Sequence, residues 1–190
     1  MFIVESDFIC IFKIGDNINY NLRVLKLLYN IESQEDAKKI LLYKPIIITI
    51  ASICEAVLYD FHVRIRSNTV EGVQNIAQEV ISRIRGKKID EFGKYIASAK
   101  KNDFFDSSHS SLYDELDKLR KLRNRIHIQN TKNYFEPDEW KAFNVDRKIM
   151  AEKVLERILK HMHEKYKRPA SVTGYVDDFE LPWEEHFPVI

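Results

Sequence analysis

The amino-acid sequence predicts an all-α fold: an antiparallel helical bundle of about five or more helices, closed by an extended C-terminal arm. Two observations lead there. Apolar residues recur at three- and four-residue spacing in successive stretches of roughly ten to twenty residues. Glycine and proline number only five each in 190 residues, and no Gly/Ser, Gln/Asn or Pro run leaves room for a long linker. No stretch repeats another at a period of about 20 to 50 residues, so the bundle is a single domain rather than a solenoid.

Residues 1–16 alternate too irregularly to choose between a short strand and a short helix, and Gly15-Asp16 punctuates the chain. From Asn17 to Ile31, the residues Ile18, Leu22, Leu25 and Tyr29 fall on one helical face. Ser33, with Asp36 three residues on, opens a helix through SQEDAKKILLY, and Pro45 starts the next, so two helices flank the proline. The second of these, from Pro45 to Arg66, is apolar over most of its circumference and is expected at the centre of the bundle. Its polar strip carries Ser52, Glu55, Tyr59 and His62. Its most apolar part, Ile46 to Leu58, is shorter than the ~20 residues that span a bilayer and includes Glu55, so no membrane segment is expected.

Ser67-Asn68-Thr69 offers caps for a helix from Val70 to Arg85, ended by Gly86. An amphipathic segment follows from Ile89 to Lys100, and NDFFDSSHSS breaks the pattern. A long helix is predicted from Leu112 to Gln129, then a loop through NTKNYFEPDE. A last helix runs from Asp138 to Tyr166 with Phe143, Ile149, Val154, Ile158 and Met162 inward, and Pro169 ends it. The chain therefore divides into an N-terminal segment (1–16), a helical bundle (17–168) and a C-terminal tail (169–190). The tail has aromatics and acids but no Lys or Arg, and is expected to wrap over the bundle or over a partner.

With 30 Lys+Arg against 29 Asp+Glu, the net charge of +1 argues at first against a polyanionic partner. The charges are segregated, however. Lys118, Arg120, Lys121, Arg123, Arg125 and Lys132 give +6 between Lys118 and Asn133 with no acid among them. Asp177, Asp178, Glu180, Glu184 and Glu185 give −5 in the tail, which is expected to cover the basic edge of its own or a neighbouring subunit. Cys10 and Cys54 lie in apolar surroundings and are expected as small buried hydrophobes in a reducing cytosol. The acidic start MFIVESDFICIF lacks the basic region of a signal peptide, which also suggests a cytoplasmic location.

Position on the Leu112 helix says more than the count. Advancing about 100° per residue from Leu112 places Leu116, Leu119, Leu122 and Ile126 in one apolar arc, with Arg123 inside it near 20°. His127 near 60°, Arg120 near 80° and Tyr113 near 100° line one border of the arc, while Lys118, Lys121 and Arg125 point away. A cation in an apolar arc carries a desolvation cost and is normally paired, at an interface or in a cleft. One reading makes Arg123 a structural partner of Glu55 and His127 a hydrogen-bonded interior histidine. The other makes Arg120, Arg123, His127 and Tyr113 the wall of an anion-binding catalytic cleft.

The segment LRKLRNRIHIQN, late in a helix of a small all-α chain, resembles the signature of the HEPN domains (higher eukaryote and prokaryote nucleotide-binding), which is Arg, four to six residues, then His. Arg120 to His127 has six intervening residues; Arg123-Asn124 matches the Arg-Asn pair common in that family, with three residues before His127. Either arginine can take the family's role. The core helix with its single acid, IASICEAVLYDF, is similar to the family's second helix, and the resemblance at fold level spans residues 17–166. It implies a metal-independent RNA endonuclease of toxin or phage-defence type, active as a homodimer and controlled by an antitoxin or defence-complex partner. His127, Arg123 and Arg120 are then catalytic, and Asn124, Tyr113, Arg125 and Lys121 bind substrate. No cofactor and no metal are implied, and the sequence holds no HExxH, CxxC, Walker or GxGxxG pattern. The alternative is a non-catalytic HEPN-like module that binds RNA or a protein through the same face.

Overall fold

In the computed structural model, which describes residues 1–34, 39–67, 73, 75–106, 110–127 and 138–188, the chain is all-α with one two-stranded ribbon. In order these are strand β1 (Phe2–Val4), helices α1 (Phe12–Gln34), α2 (Lys39–Ser67), α3 (Gln78–Arg85), α4 (Phe92–Asn102), α5 (Leu112–Arg123), α6 (Glu139–Ala142) and α7 (Val145–Lys165), and strand β2 (Phe179–Leu181). Short 3₁₀ turns follow α5 (Asn124–Ile126) and α7 (Ala170–Val172).

The central position expected for the apolar helix is the observed one. Helix α2 packs against α1, α3, α4, α5 and α7, and Ile46, Ile47, Ile50, Ala51, Cys54 and Leu58 are inaccessible to solvent. That central position explains why it is apolar nearly all round. Taken over its whole length α2 is also long and apolar enough to cross a membrane, contrary to the reading from Ile46–Leu58 alone. In this fold five helices pack on it, while Ile40 and Leu41 near its start stay exposed.

Two helices do not flank Pro45. One helix runs through it, because Pro45 is the seventh residue of α2, and the hydrogen bond it cannot donate is lost near the exposed end, where Leu41 is 72% accessible. Conversely, the single helix expected from Asp138 to Tyr166 is two. Buried Phe143 breaks it, and Asn144 restarts it by accepting from the Arg147 amide at 3.0 Å. Ile149, expected inward, is partly exposed, whereas Val154, Ile158 and Met162 are buried as the spacing indicates. Ser33 and Ser67, expected as caps of the following helices, lie instead within the last turns of α1 and α2. Asp36, Asn68 and Thr69 fall outside the described residues, and the helix expected from Val70 begins at Gln78.

The N-terminal segment resolves into strand, turn and the first turns of α1, which begins at Phe12 rather than Asn17. A tertiary hydrogen bond sets that start: the Asp60 carboxylate of α2 accepts from the amides of Cys10 and Ile11 at 2.8 and 2.7 Å and caps the helix from another element. Cys54 is buried as expected, but Cys10 is only half-buried.

Gly15 is not punctuation but a buried residue of α1. A Cβ there would stand 2.5 and 2.6 Å from the two methyls of Val176 in the tail. At an ordinary helix position Gly→Ala gains about 1 kcal/mol. Here Gly15→Ala is expected to lower stability by about 1–2 kcal/mol, because a rigid branched side chain must move. Urea unfolding checks the sign, and a stabilised variant would show that the tail yields freely.

The tail wraps its own chain. Strand β2 pairs antiparallel with β1, Phe2 opposite Leu181 and Val4 opposite Phe179, so the first and last segments form one ribbon. Phe179, Leu181 and Trp183 are buried, the Trp183 ring lying 5.8 Å from that of Tyr29. Four of the five tail acids are used at home: Asp177 near Arg23, Asp178 on the Ser6 amide, Glu180 on Lys26 and Glu185 on Lys160, while Glu184 is exposed. The expected cover over the chain's own basic edge is therefore not formed. The tail's Phe187 and Pro188 share a cavity wall with Leu112, at the end of α5 away from Arg120 and Arg123.

Candidate nucleic-acid interface

Helix α5 lies against α2, α4 and α7 through Leu112, Leu116, Leu119 and Leu122, all buried as the periodicity predicts. Arg123, the last residue of α5 and expected inside the apolar arc, lies half-buried at the margin of the core. Its guanidinium Nη2 donates to a carboxylate oxygen of Glu55 on α2, and its Nη1 reaches the Asn124 side-chain oxygen at 3.5 Å. It also lies 6.0 Å from the centre of the Phe92 ring at the start of α4, within cation–π range. Partial burial pulls the Arg123 guanidinium below its ordinary value, and the Glu55 carboxylate is its counter-ion.

Arg120 sits one turn earlier. Its Nε and Nη2 both donate to Asp117 Oδ1 at 2.8 Å, and Lys121 Nζ takes the other oxygen at 2.8 Å. Burial pushes the Asp117 carboxyl up, but the Lys121 and Arg120 hydrogen bonds prevail and hold it below the usual carboxylate range. Asp117 lies one residue before the basic window, so counting charges from Lys118 missed it. Its spacing of three and four to Arg120 and Lys121 is the legible signal. Lys121, expected to point away, is thus half-buried in this triad. The Arg120 side chain crosses α4 at Gly93, where an added Cβ would meet its Cδ at 3.4 Å.

The helix ends earlier than predicted. After Arg123 the backbone tightens into the 3₁₀ turn Asn124–Ile126, and His127 is extended, with φ −83° and ψ 105°. The 100° advance therefore does not carry to His127. Ile126, expected in the apolar arc, is 56% exposed, and His127 is exposed rather than an interior histidine. Asn124 and Arg125 are half-buried in the turn. Lys132, Tyr134 and Phe135 lie outside the described residues.

Tyr113 is withdrawn from the site. It is 2% exposed, its hydroxyl donates to Asp103 Oδ1 at 2.9 Å and accepts from the Phe105 amide at 3.1 Å. Burial and the Asp103 carboxylate raise its phenol well above the ordinary value. The turn after α4 covers that flank of α5, so the buried arc is wider than the leucines alone indicate.

The site thus brings together Glu55, Arg123 and Asn124, with Asp117, Arg120 and Lys121 beside them and His127 four residues beyond Arg123 at the surface. Chemically it offers two positioned guanidiniums, each keeping N–H groups beyond its carboxylate partner, and a freely accessible imidazole. Among the described residues, one trio has ligand atoms close enough for a metal ion: Glu5, Asp7 and His163, within 4.8 Å of one another where the N-terminal segment meets α7. It is separate from the α5 cluster, and the His163 Nδ1 to Asp7 contact of 3.0 Å with Lys167 at 3.7 Å accounts for it as an ion-pair group. Comparison with protein-family models, with curated proteins and with solved structures finds no match for this chain.

Proposed function

We propose that the protein is a metal-independent RNA endonuclease of the HEPN type, its helices forming an antiparallel HEPN-like bundle that acts as a cytoplasmic homodimer. The observation that carries the reading is Arg123, a guanidinium fixed by Glu55 at the end of α5, followed within four residues by an exposed histidine. His127 takes the proton of a ribose 2′-OH as that oxygen attacks the adjacent phosphorus. The P–O5′ bond breaks, the departing O5′ takes a proton from solvent and His127 returns its own to solvent, leaving a 2′,3′-cyclic phosphate and a 5′-OH end. Arg123 and Arg120 offset the charge that develops on the phosphoryl oxygens, and Asn124, Arg125 and Lys121 hold the strand. The exposure of His127 at the rim is compatible with a cleft shared with a second copy of the chain, and an antitoxin or defence-complex partner would act by covering this edge.

The test is cleavage of single-stranded RNA in EDTA. His127→Ala is expected to lower the rate by roughly 100- to 10,000-fold with an unchanged fold. Full activity of that variant would overturn the assignment.

One observation favours a second reading, a non-catalytic HEPN-like module that binds RNA or a protein through this face. Both arginines are already held by carboxylates of the same chain, Arg123 by Glu55 and Arg120 by Asp117. That reading expects RNA binding that weakens steeply with salt and leaves the strand intact. Products ending in a cyclic phosphate exclude it.

A further inference from the structure

We infer that the groove between α3 and α4 is a second RNA-binding track, which holds the phosphate backbone of a single strand leading to or from the α5 edge. The inference rests on the reading of the protein as RNA-binding but not on its catalysis. The groove encloses about 240 Å³ and has an apolar floor of Ile84, Ile89 and Ala97. Its rim carries Arg83, Lys87, Lys88, Lys94 and Lys101, and no acidic side chain lines it. Five cations around an apolar floor are complementary to a chain of phosphates with bases turned inward, and not to a neutral or basic partner.

These cations are not equivalent. Lys94 bonds Asp90 at 2.7 Å, Lys88 approaches the same carboxylate at 3.2 Å, and Arg83 donates to Asn102. Lys87 and Lys101 are exposed and have no carboxylate partner among the described residues. They carry the net charge that a ligand would neutralise.

Helix α4 borders both the groove and the α5 site. Gly93, on which Arg120 rests, immediately precedes Lys94 of the groove wall, and Phe92 before it faces Arg123. On its other side the groove shares Ile84, Lys87 and Ile89 with a smaller cavity of about 150 Å³, lined also by Tyr59, His62, Arg66 and Tyr95 and by Asp90, the carboxylate already held by Lys94 and Lys88. Tyr59 lies on the polar strip of α2 one turn beyond Glu55 and is 38% exposed, packed edge-on to Tyr95 at 6.1 Å. Its open ring face suits base stacking, which adds about 1–3 kcal/mol per base and tolerates any sequence. Helix α4 thus sets Phe92 and Gly93 against the α5 arginines and Lys94 and Lys101 on the groove, and the Tyr59 ring lines the cavity that adjoins the groove at Lys87.

The test is fluorescence anisotropy with a labelled 2′-O-methyl oligouridylate, which lacks the attacking hydroxyl and stays intact whether or not the protein is a nuclease. The double substitution Lys87→Gln with Lys101→Gln is expected to weaken binding about tenfold and to flatten the slope of log K against log salt by about 1.4. A control pair on other exposed lysines, Lys13→Gln with Lys153→Gln, is expected to bind as the parent does. All of these side chains are exposed, so far-ultraviolet circular dichroism should be unchanged. Equal affinity and slope for the Lys87/Lys101 pair and the parent overturn the track. So does a parent protein that binds anionic phosphatidylserine vesicles but not the oligonucleotide. Binding that depends on Lys87 and Lys101, found together with uncut natural RNA, upholds the track and removes only the nuclease reading.

Discussion

A chain that stops at Pro169 is expected not to fold. Phe179, Leu181 and Trp183 are essentially buried, and each such side chain contributes about 1.5–3 kcal/mol through burial. The tail also satisfies charges in the core. The fully buried Glu156 carboxylate accepts from the His186 and Phe187 amides at 2.9 and 2.8 Å, and Glu152 faces the His186 ring at 2.8 Å. Removing those donors leaves two carboxylates in the core with Lys160, Lys148 and Tyr29 alone to compensate them. The combined loss is of the same order as the roughly 5–15 kcal/mol that stabilises a whole domain. Circular dichroism and urea unfolding of residues 1–169 should therefore show no cooperative transition. Trp183→Ala alone should keep a transition lowered by about 3–5 kcal/mol. A truncated chain that unfolds cooperatively near the parent midpoint, and binds RNA better, would restore the masking role that segregated charge suggests.

The second large effect is hidden in the parent protein because two buried groups oppose one another. His62 donates from Nδ1 to the Leu58 carbonyl at 2.7 Å and is ringed by Phe61, Tyr95 and Phe104; burial lowers it from 6.5 to about 4. Its contribution to stability is complete above pH 6.5 and is lost as pH falls toward 4. Burial raises Asp60 from 3.8 to about 6, against the pull of the Cys10 and Ile11 amides and of Arg168 and Arg64. Its contribution is complete below pH 3.8 and is lost as pH rises through 6. Each amounts to roughly 3 kcal/mol across the window. On acidification His62 subtracts while Asp60 adds, so the two nearly cancel. His62→Gln is expected to grow more stable as pH falls from about 7 to 4, by up to roughly 3 kcal/mol. Asp60→Asn, which also loses one amide acceptor at the start of α1, should be weaker throughout and should decline over the same range. Parallel pH profiles for His62→Gln and the parent would refute the opposition.

The helical elements were legible where one periodicity decided them. Ile18, Leu22 and Leu25 in α1, the leucines of α5 and the apolar girth of α2 needed only the 3.6-residue repeat, because their burial follows directly from it. The misjudged points share a different cause. Pro45 inside α2, Gly15 inside α1 and the break at Phe143 depend on how near the helix end lies, on Val176 arriving from the tail and on a buried ring. None of these is a property of the local sequence.

At the candidate site the pairing of Glu55 with Arg123 could be anticipated, since one acid stood on the polar strip of a central helix and one arginine in an apolar arc. The exposure of His127 could not, because helix α5 gives way to a tighter turn at Arg123 and the angular reckoning ends there. Nor could the burial of Tyr113, which depends on the turn after α4 folding over its hydroxyl.

By itself, then, the sequence determined the all-α class, the central helix and the segment that carries arginines and histidine, for these follow from local spacing. Tertiary structure alone decided that the acidic tail completes the core instead of veiling the basic edge, and that α3 and α4 present their lysines around one groove. The reason is physical. Charge counts along a chain are blind to which opposite charge is nearest in space, and at contact distances the nearest partner dominates a charge's energy.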